Sequence, residues 1–386
     1  MPPVSRFHLA IPFNRPFATG AEFGYIREAI DGLQLSGNGR FAALCSSWLR
    51  EQTGAGGALL TPSCTAALEL AALLSRIEPG DEVIMPSFTF SSTATAFALR
   101  GATLVFVDVR PDTLNIDEAA VAGAVTGRTR AIVPIHYAGV PAELDSLSAT
   151  AEAAGAVLIE DAAHALGSTY RGRPVGGDSP LAALSFHETK NLTCGEGGAL
   201  LLNDPELVER AEIMQEKGTD RARLFRGEVD RYTWVDIGSS FLLSEINAAF
   251  LWAQFEAADV ILQRRLAIWD AYHEALAPLE AAGLLRRPIV PAHCTHNAHL
   301  YYLLLPEEAA RDALIESLRG DGVAAIFHYV PLHSSRAGRR YGRTQGALPV
   351  TDDVSRRLVR LPLWVGMGPD ELGRVVRGVA AAVGHG

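Results

Sequence analysis

The chain has 386 residues, 48% apolar and 20% charged; that is ordinary soluble composition but more chain than one core usually holds, so a large and a smaller domain are expected. The net charge of −10, with no basic run interleaved with aromatics, argues against a nucleic-acid surface. Four widely spaced cysteines point to neither a disulfide framework nor zinc, no apolar run is long enough to span a membrane, and Met1–Pro16 lacks a signal-peptide core, which together predict a cytoplasmic protein.

From Gly57 to Asp204, short apolar runs alternate with helical patterns. The predicted strands are Ala58–Leu60, Glu82–Met85, Thr103–Val109, Ala131–His136, Ala156–Asp161, Ala182–Phe186 and Ala199–Asn203. They are rich in Val, Ile and Leu without polar alternation, as expected of strands buried on both faces. Helical patterns at Thr65–Ile77, Thr93–Leu99 and Leu144–Ala154 fall between them. This rhythm predicts an α/β fold with a mostly parallel seven-stranded sheet sandwiched by helices. The large domain, with its N-terminal arm, is read as residues 1–250. Residues 251–386 form a small α+β domain, reached through a long helix over Ser244–Leu276 that contains Arg264 and Arg265. In that domain the patterns predict a strand Leu300–Leu305, a helix Glu307–Leu318, a strand Val323–Tyr329 and a closing helix from Pro369. His293, His296 and His299 have a spacing that suits a helix, but Pro291 and the loop composition oppose one, so no metal site is predicted.

Only two of the 34 Lys and Arg residues are lysines, Lys190 and Lys217. Arginine stays protonated, whereas lysine can lose its proton and attack a carbonyl, so a lysine kept in an arginine-rich chain is a candidate for chemistry. Lys190 stands in Ser185-Phe186-His187-Glu188-Thr189-Lys190-Asn191, just before a glycine cluster. Upstream, the apolar run Val157-Leu158-Ile159 ends in Glu160 and Asp161. A carboxylate there either caps the next helix or holds a protonated heterocyclic nitrogen, since ligands bind at the carboxyl ends of strands in open α/β sheets. Thr61-Pro62-Ser63-Cys64-Thr65 leads from a strand into a helix, and its free N–H groups and hydroxyls either cap that helix or cradle a phosphate. An amine, an acid and an anion cradle in this chain order are what a pyridoxal 5′-phosphate enzyme needs.

Over nearly its full length, from Ile11-Pro12-Phe13-Asn14 to Leu361-Pro362-Leu363, the chain resembles the DegT-type sugar-nucleotide aminotransferases. The runs Leu60–Thr65, Ser185–Asn191, Glu216-Lys217-Gly218-Thr219, Tyr232-Thr233-Trp234 and Asp236–Ser240 carry the likeness. They are most similar to the enzymes that aminate C4 of dTDP-4-dehydro-6-deoxyglucose. The resemblance implies fold type I, a homodimer with active sites at the subunit interface, and amine transfer from L-glutamate to a dTDP-ketosugar. The product would be dTDP-4-amino-4,6-dideoxygalactose or its gluco epimer. It further implies that Lys190 forms the Schiff base and shuttles the proton, that Asp161 pairs with the pyridine nitrogen, and that His164 neighbours the phenolic oxygen. Phe90 would stack on the ring, while Cys64, Thr65 and Ser185 would hold the phosphate. Relatives send an Asn and an Arg or Asn across to the neighbouring subunit's phosphate. Here those positions are Ser240 and Leu242, of which only Ser240 can donate a hydrogen bond. Asn191, Arg226, His328 and Tyr329 are candidate substrate contacts, and the basic stretch Lys217, Arg221, Arg223 and Arg226 is either a solvated loop or a diphosphate clamp. Amination at C3 or of another ketosugar nucleotide stays open, as does a cofactor-binding sensor without turnover. The family's dehydratase branch, which has histidine in place of the lysine, is disfavoured by Lys190.

Overall fold

The computed structural model describes residues 10–384, so the first nine residues of the Met1–Pro16 stretch lie outside the described residues. All seven expected strands are present: β1 (Gly57–Thr61), β2 (Glu82–Pro86), β3 (Thr103–Val107), β4 (Thr129–Ile132), β5 (Val157–Asp161), β6 (Leu181–Ser185) and β7 (Gly198–Leu202). The C-terminal region adds β8 (Tyr301–Leu304), β9 (Gly342–Thr344) and β10 (Leu358–Leu361). The large sheet runs β1-β7-β6-β5-β4-β2-β3-β9, with β7 antiparallel to both its neighbours and every other pair parallel.

That sheet has eight strands, not the seven expected. The extra one, β9, is three residues long and has no apolar run to announce it. It pairs with β3, and Arg343 on it reaches the buried Glu82 at 3.1 Å. Side chains along β6 and β7 alternate between two cores, which explains why the strand sequences show no polar alternation. Ala182, Leu184 and Leu201 pack with Phe41 and Leu49 of α2 (Arg40–Thr53), which follows α1 (Glu22–Asp31). Leu181, Ala183, Leu200 and Leu202 pack with Leu68 and Leu70 of α3 (Cys64–Leu74) and Phe97 of α4 (Ser91–Ala98).

The helix expected over Ser244–Leu276 is two helices, Glu245–Glu256 and Ala258–Ala275, broken at Ala257. Each serves a different core: Ala248, Leu251 and Phe255 pack under the large sheet, whereas Ile268, Trp269 and Tyr272 pack under the small one. The strand expected at Val323–Tyr329 does not form. Only Val323 and Ile326 make isolated bridges, to Ile11 and Arg360, and Tyr329 turns to φ +37°, a left-handed conformation that ends any extended run. The small sheet pairs β8 with β10 instead, and Pro369–Gly384 closes the chain as a helix.

Candidate active site

The carboxyl ends of β2, β5 and β6 and the start of α3 converge on one cavity of about 760 Å³. Because β7 runs back beside β6, the loop joining them lies over that edge. It is pinned by the Phe186 amide to Gly197 O (2.8 Å), the Glu188 amide to Gly195 O (2.9 Å) and the Lys190 amide to His187 O (2.8 Å). From the N-terminal arm, Asn14 Nδ2 donates to Glu188 O at 3.0 Å. Lys190 sits on this loop and lines the cavity. Burial, opposed by the nearby Asp161, lowers its pKa from 10.5 to about 8. The adjacent Cys64 thiol is pushed far up by burial, so it stays neutral and offers no counter-charge.

Consecutive strand residues face opposite sides, and this separates the two carboxylates at the end of β5. Glu160 points away from the cavity, accepting from the Gly176 amide (3.1 Å) and lying 2.8 Å from His136 Nε2. Asp161 faces the cavity. Its Oδ2 accepts from Thr93 Oγ1 at 2.7 Å and its Oδ1 from the Ala163 amide at 3.2 Å. The second bond closes a turn, not a helix, so the capping alternative does not apply.

His164 stacks on His299 with centroids 4.2 Å apart, and burial holds both imidazoles well below their usual pKa. Its Nδ1 is buried with no hydrogen-bond partner among the described residues, the condition of a group that awaits a ligand. At the start of α3, Ser63 Oγ accepts from the Ala66 amide at 3.1 Å, while the Cys64 and Thr65 amides belong to the first helical turn, which has no internal acceptor for them. Thr65 Oγ1 donates to Ser92 Oγ at 2.8 Å, adding two hydroxyls to the cradle. Phe90, 60% exposed, and Ser185 complete this wall. These groups fit pyridoxal phosphate: an amine for its aldehyde, a carboxylate for its ring nitrogen, an unpaired imidazole nitrogen and an anion cradle.

The cradle depends on Gly198. A Cβ there would lie 2.4 Å from the Ser63 carbonyl carbon and 2.5 Å from the Cys64 nitrogen. Gly198→Ala is therefore expected to push the start of α3 off β7, costing about 1–3 kcal/mol of stability and weakening cofactor retention, which thermal melts and cofactor titration would show.

Of the sequence-derived candidates, Lys190, Cys64, Thr65, Phe90, Asp161, His164, Ser185, His328 and Tyr329 all line the cavity. Three do not. Asn191 lies behind it, donating to Asn297 O (2.7 Å) with its Oδ1 3.2 Å from His299 Nδ1. Arg226 is held on the surface by Glu212 and Glu228, both at 2.7 Å, so its charge is already matched within the chain. Ser240 is exposed and bridges to Glu216. The three spaced histidines go to different places: His293 to Glu143, His296 against Trp269, and His299 beside His164.

Sequence reading missed Thr93, whose hydroxyl fixes Asp161, and Tyr137, whose OH lies 2.8 Å from His328 Nδ1. It also passed over two cavity arginines. Neither pairs with a carboxylate among the described residues: Arg265 donates to Ala298 O and His299 O, and Arg360 to Phe327 O. A lone charge inside Leu358-Val359-Arg360-Leu361 was the available signal.

A cavity lysine with a lowered pKa, a buried acid and a helix-start cradle at the carboxyl edge of a mostly parallel sheet are the groups that a pyridoxal-phosphate enzyme of fold type I needs. The chain belongs to the DegT/DnrJ/EryC1/StrS aminotransferase family, which it matches over residues 18–380 and whose aminotransferases depend on pyridoxal phosphate. It is similar to the aminotransferase TlmJ of Streptoalloteichus hindustanus, at 30% identity over 97% of this chain and 99% of that one, with a TM-score of 0.89. Spr1654 of Streptococcus pneumoniae, a candidate sugar aminotransferase in its PLP form, shares 25% identity over 97% and 99%, with a TM-score of 0.88. The 3-amino-5-hydroxybenzoic acid synthase shares 30% over 96% and 98%, with a TM-score of 0.87. No helix among the described residues is long and apolar enough to cross a membrane.

Proposed function

We propose that the protein moves an amino group from L-glutamate to C4 of dTDP-4-dehydro-6-deoxy-D-glucose, giving dTDP-4-amino-4,6-dideoxy-D-galactose or its D-gluco epimer. The observation that carries this reading is the meeting of Lys190, Asp161 and the Ser63–Thr65 cradle in one cavity. The sugar-nucleotide acceptor is supported by the motif runs Ser185–Asn191 and Asp236–Ser240 and by the likeness to Spr1654.

Bound pyridoxal phosphate supplies an electron sink that lets an amine and a ketone exchange through proton movement at carbon. The chain's residues do the rest. The Cys64 and Thr65 amides and the Thr65, Ser92 and Ser185 hydroxyls hold the phosphate. Asp161, fixed by Thr93, keeps the ring nitrogen protonated. Neutral His164, with its Nδ1 unpaired, would neighbour the phenolic oxygen, and Phe90 would cover the ring face. Lys190 would remove the proton from the donor's α-carbon and, in the second half, deliver one to the sugar carbon. The working form would be a cytoplasmic homodimer, with Ser240 reaching the neighbouring subunit's phosphate and exposed apolar side chains such as Phe225 and Trp234 covered by the partner.

The direct test is incubation with glutamate and the 4-ketosugar nucleotide, with the C4 configuration assigned from proton couplings. Turnover with a 3-ketosugar alone would defeat the C4 assignment. A visible band that bleaches with glutamate separates an enzyme from a sensor.

The lowered pKa of Lys190 has a sign that can be checked. Below about 8 the protonated amine dominates, so capture of the aldehyde by the apoprotein should speed up close to tenfold per pH unit and level off above that value. Between about 8 and 10.5 the folded apoprotein binds fewer protons here than the unfolded chain, so this group adds stability as pH rises through that window. Stopped-flow absorbance at several pH values reads the first effect; a capture rate independent of pH would contradict it.

A further inference from the structure

Beside the main cavity lies a recess of about 10 Å³, whose polar lining is His164, Ser185, Lys190, Asn191, Asn297 and His299. That volume takes one water-sized group, and an amine nitrogen with its hydrogens is such a group. Lys190 and His299 line both spaces, so they stand at the boundary. The main chain of Lys190 is fixed there by its amide, which donates to His187 O at 2.8 Å.

His299 meets the recess in one defined state. Asn191 Nδ2 donates to Asn297 O at 2.7 Å, which leaves Asn191 Oδ1 to face His299 Nδ1 at 3.2 Å. An amide oxygen only accepts, so Nδ1 carries the hydrogen. The residue is 8% exposed and stacked on His164, and burial keeps its ring neutral. Nε2 therefore keeps its lone pair, with no donor among the described residues. The backbone is held as firmly. The His299 amide donates to Asn297 Oδ1 at 3.1 Å, and Arg265, from the helix Ala258–Ala275, donates to His299 O at 2.7 Å. Asn297 in turn donates to His164 O and Leu166 O. Segments distant in sequence thus converge to hold one bare imidazole nitrogen near one lysine. An acceptor kept this far inside without a donor is costly unless something meets it.

We infer that the recess seats the Lys190 amine whenever it is not bonded to a ligand, with His299 Nε2 accepting one of its hydrogens. This makes His299 a positioning residue, and it rests on the aminotransferase reading, in which Lys190 spends part of each cycle as a free amine. An acceptor suits that task and a donor would not. A donor would occupy the amine's lone pair, whereas a bond to Nε2 uses an N–H and leaves the lone pair to take a proton from carbon. The other charged or titratable groups bearing on Lys190 are Cys64, Asp161 and Arg360; those bearing on His299 are His164, Arg265 and His328. Cys64 is a neutral thiol, and Asp161 already accepts from Thr93 and the Ala163 amide. His164 lines the recess too, but no hydrogen bond fixes its tautomer.

A chain with only two lysines makes the seat measurable. With lysine labelled at Cε, carbon NMR of the full-length protein loaded with pyridoxamine 5′-phosphate should show two signals, and Lys217→Arg identifies that of Lys190. An ammonium gains more from an acceptor than an amine does. His299→Phe keeps the stack and removes the acceptor, so it should lower the Lys190 midpoint by about one pH unit. His299→Gln, which brings an amide oxygen, should recover part of that shift. In the holoenzyme, the glutamate half-reaction of His299→Phe should slow about 10- to 100-fold, with its pH profile displaced in the same direction. An unchanged Lys190 midpoint in His299→Phe overturns the inference, and a rate that falls without it makes the ring structural. A shift caused by His164→Phe and not by His299→Phe also overturns it, by making His164 the acceptor. If glutamate leaves wild type unconverted while the Lys190 midpoint still depends on His299, the aminotransferase reading fails and the seat stands. Should His299→Phe not fold, Asn191→Leu releases the ring's tautomer and carries the same measurements, with a smaller shift expected.

Discussion

Replacing Lys190 with alanine is expected to lower turnover by about 10,000-fold or more, because one side chain does two jobs that water does poorly. In the proposed function it would hold the cofactor's aldehyde and move the proton at the reacting carbon. Lys190→Arg should be no better. A guanidinium cannot lose its proton near neutral pH, so it can neither bond the aldehyde nor act as a base. The cavity should survive both changes, since the loop is pinned by main-chain bonds from Phe186, Glu188 and Lys190 that do not use the Lys190 side chain. Cofactor held without a covalent link would then wash out, and borohydride followed by peptide mapping should label residue 190 in wild type alone. Label on another residue, or an alanine variant that turns over normally, would remove the basis of the proposed chemistry.

The legible parts of this protein are those where one residue type is forced by local physics. Strands buried on both faces must be apolar throughout, so β1 to β7 were readable, with Ala182 and Ala183 serving opposite cores as plainly as the sequence implies. A reactive amine must be lysine, and an acid that ends a buried strand must have a reason to be there, so Lys190 and Asp161 stood out too. What escaped was set by long-range packing. β9 is three residues that gain strand character only from the edge of β3. Val323–Tyr329 has the composition of a strand but lies between Ile11 and Arg360 and turns at Tyr329. Thr93 and Tyr137 look like any helix threonine or core tyrosine until their partners, Asp161 and His328, arrive from distant segments.

Charge shows the same divide. Arg226 sits in a basic stretch that invites a diphosphate reading, yet Glu212 and Glu228 already neutralise it. Arg360 sits in an apolar run, yet it faces the cavity with no carboxylate partner among the described residues. Sequence gives the number of charges; only the fold tells which of them are spent.

Asp161→Asn should cost about 100- to 1,000-fold in turnover, the scale seen when a preorganised electrostatic group is removed from a reacting centre. The amide is nearly the same shape; its oxygen can still accept from the Ala163 amide while its Nδ2 donates to Thr93 Oγ1, so the fold should lose no more than about 1 kcal/mol. What it cannot supply is negative charge, and without that charge a pyridine nitrogen has little reason to keep its proton in a buried site. The electron sink then weakens while the cofactor remains bound, and both half-reactions should slow together. Thr93→Val should have a smaller effect in the same direction, because it loosens the carboxylate without discharging it. Asp161→Glu separates charge from position: the charge returns, but the added methylene must fit between Thr93 and the cavity, so only partial recovery is expected. Single-turnover rates in each direction, measured beside melting temperature, distinguish this from collapse of the site. An Asp161→Asn enzyme that keeps wild-type rates would show that the carboxylate merely closes the turn at Ala163.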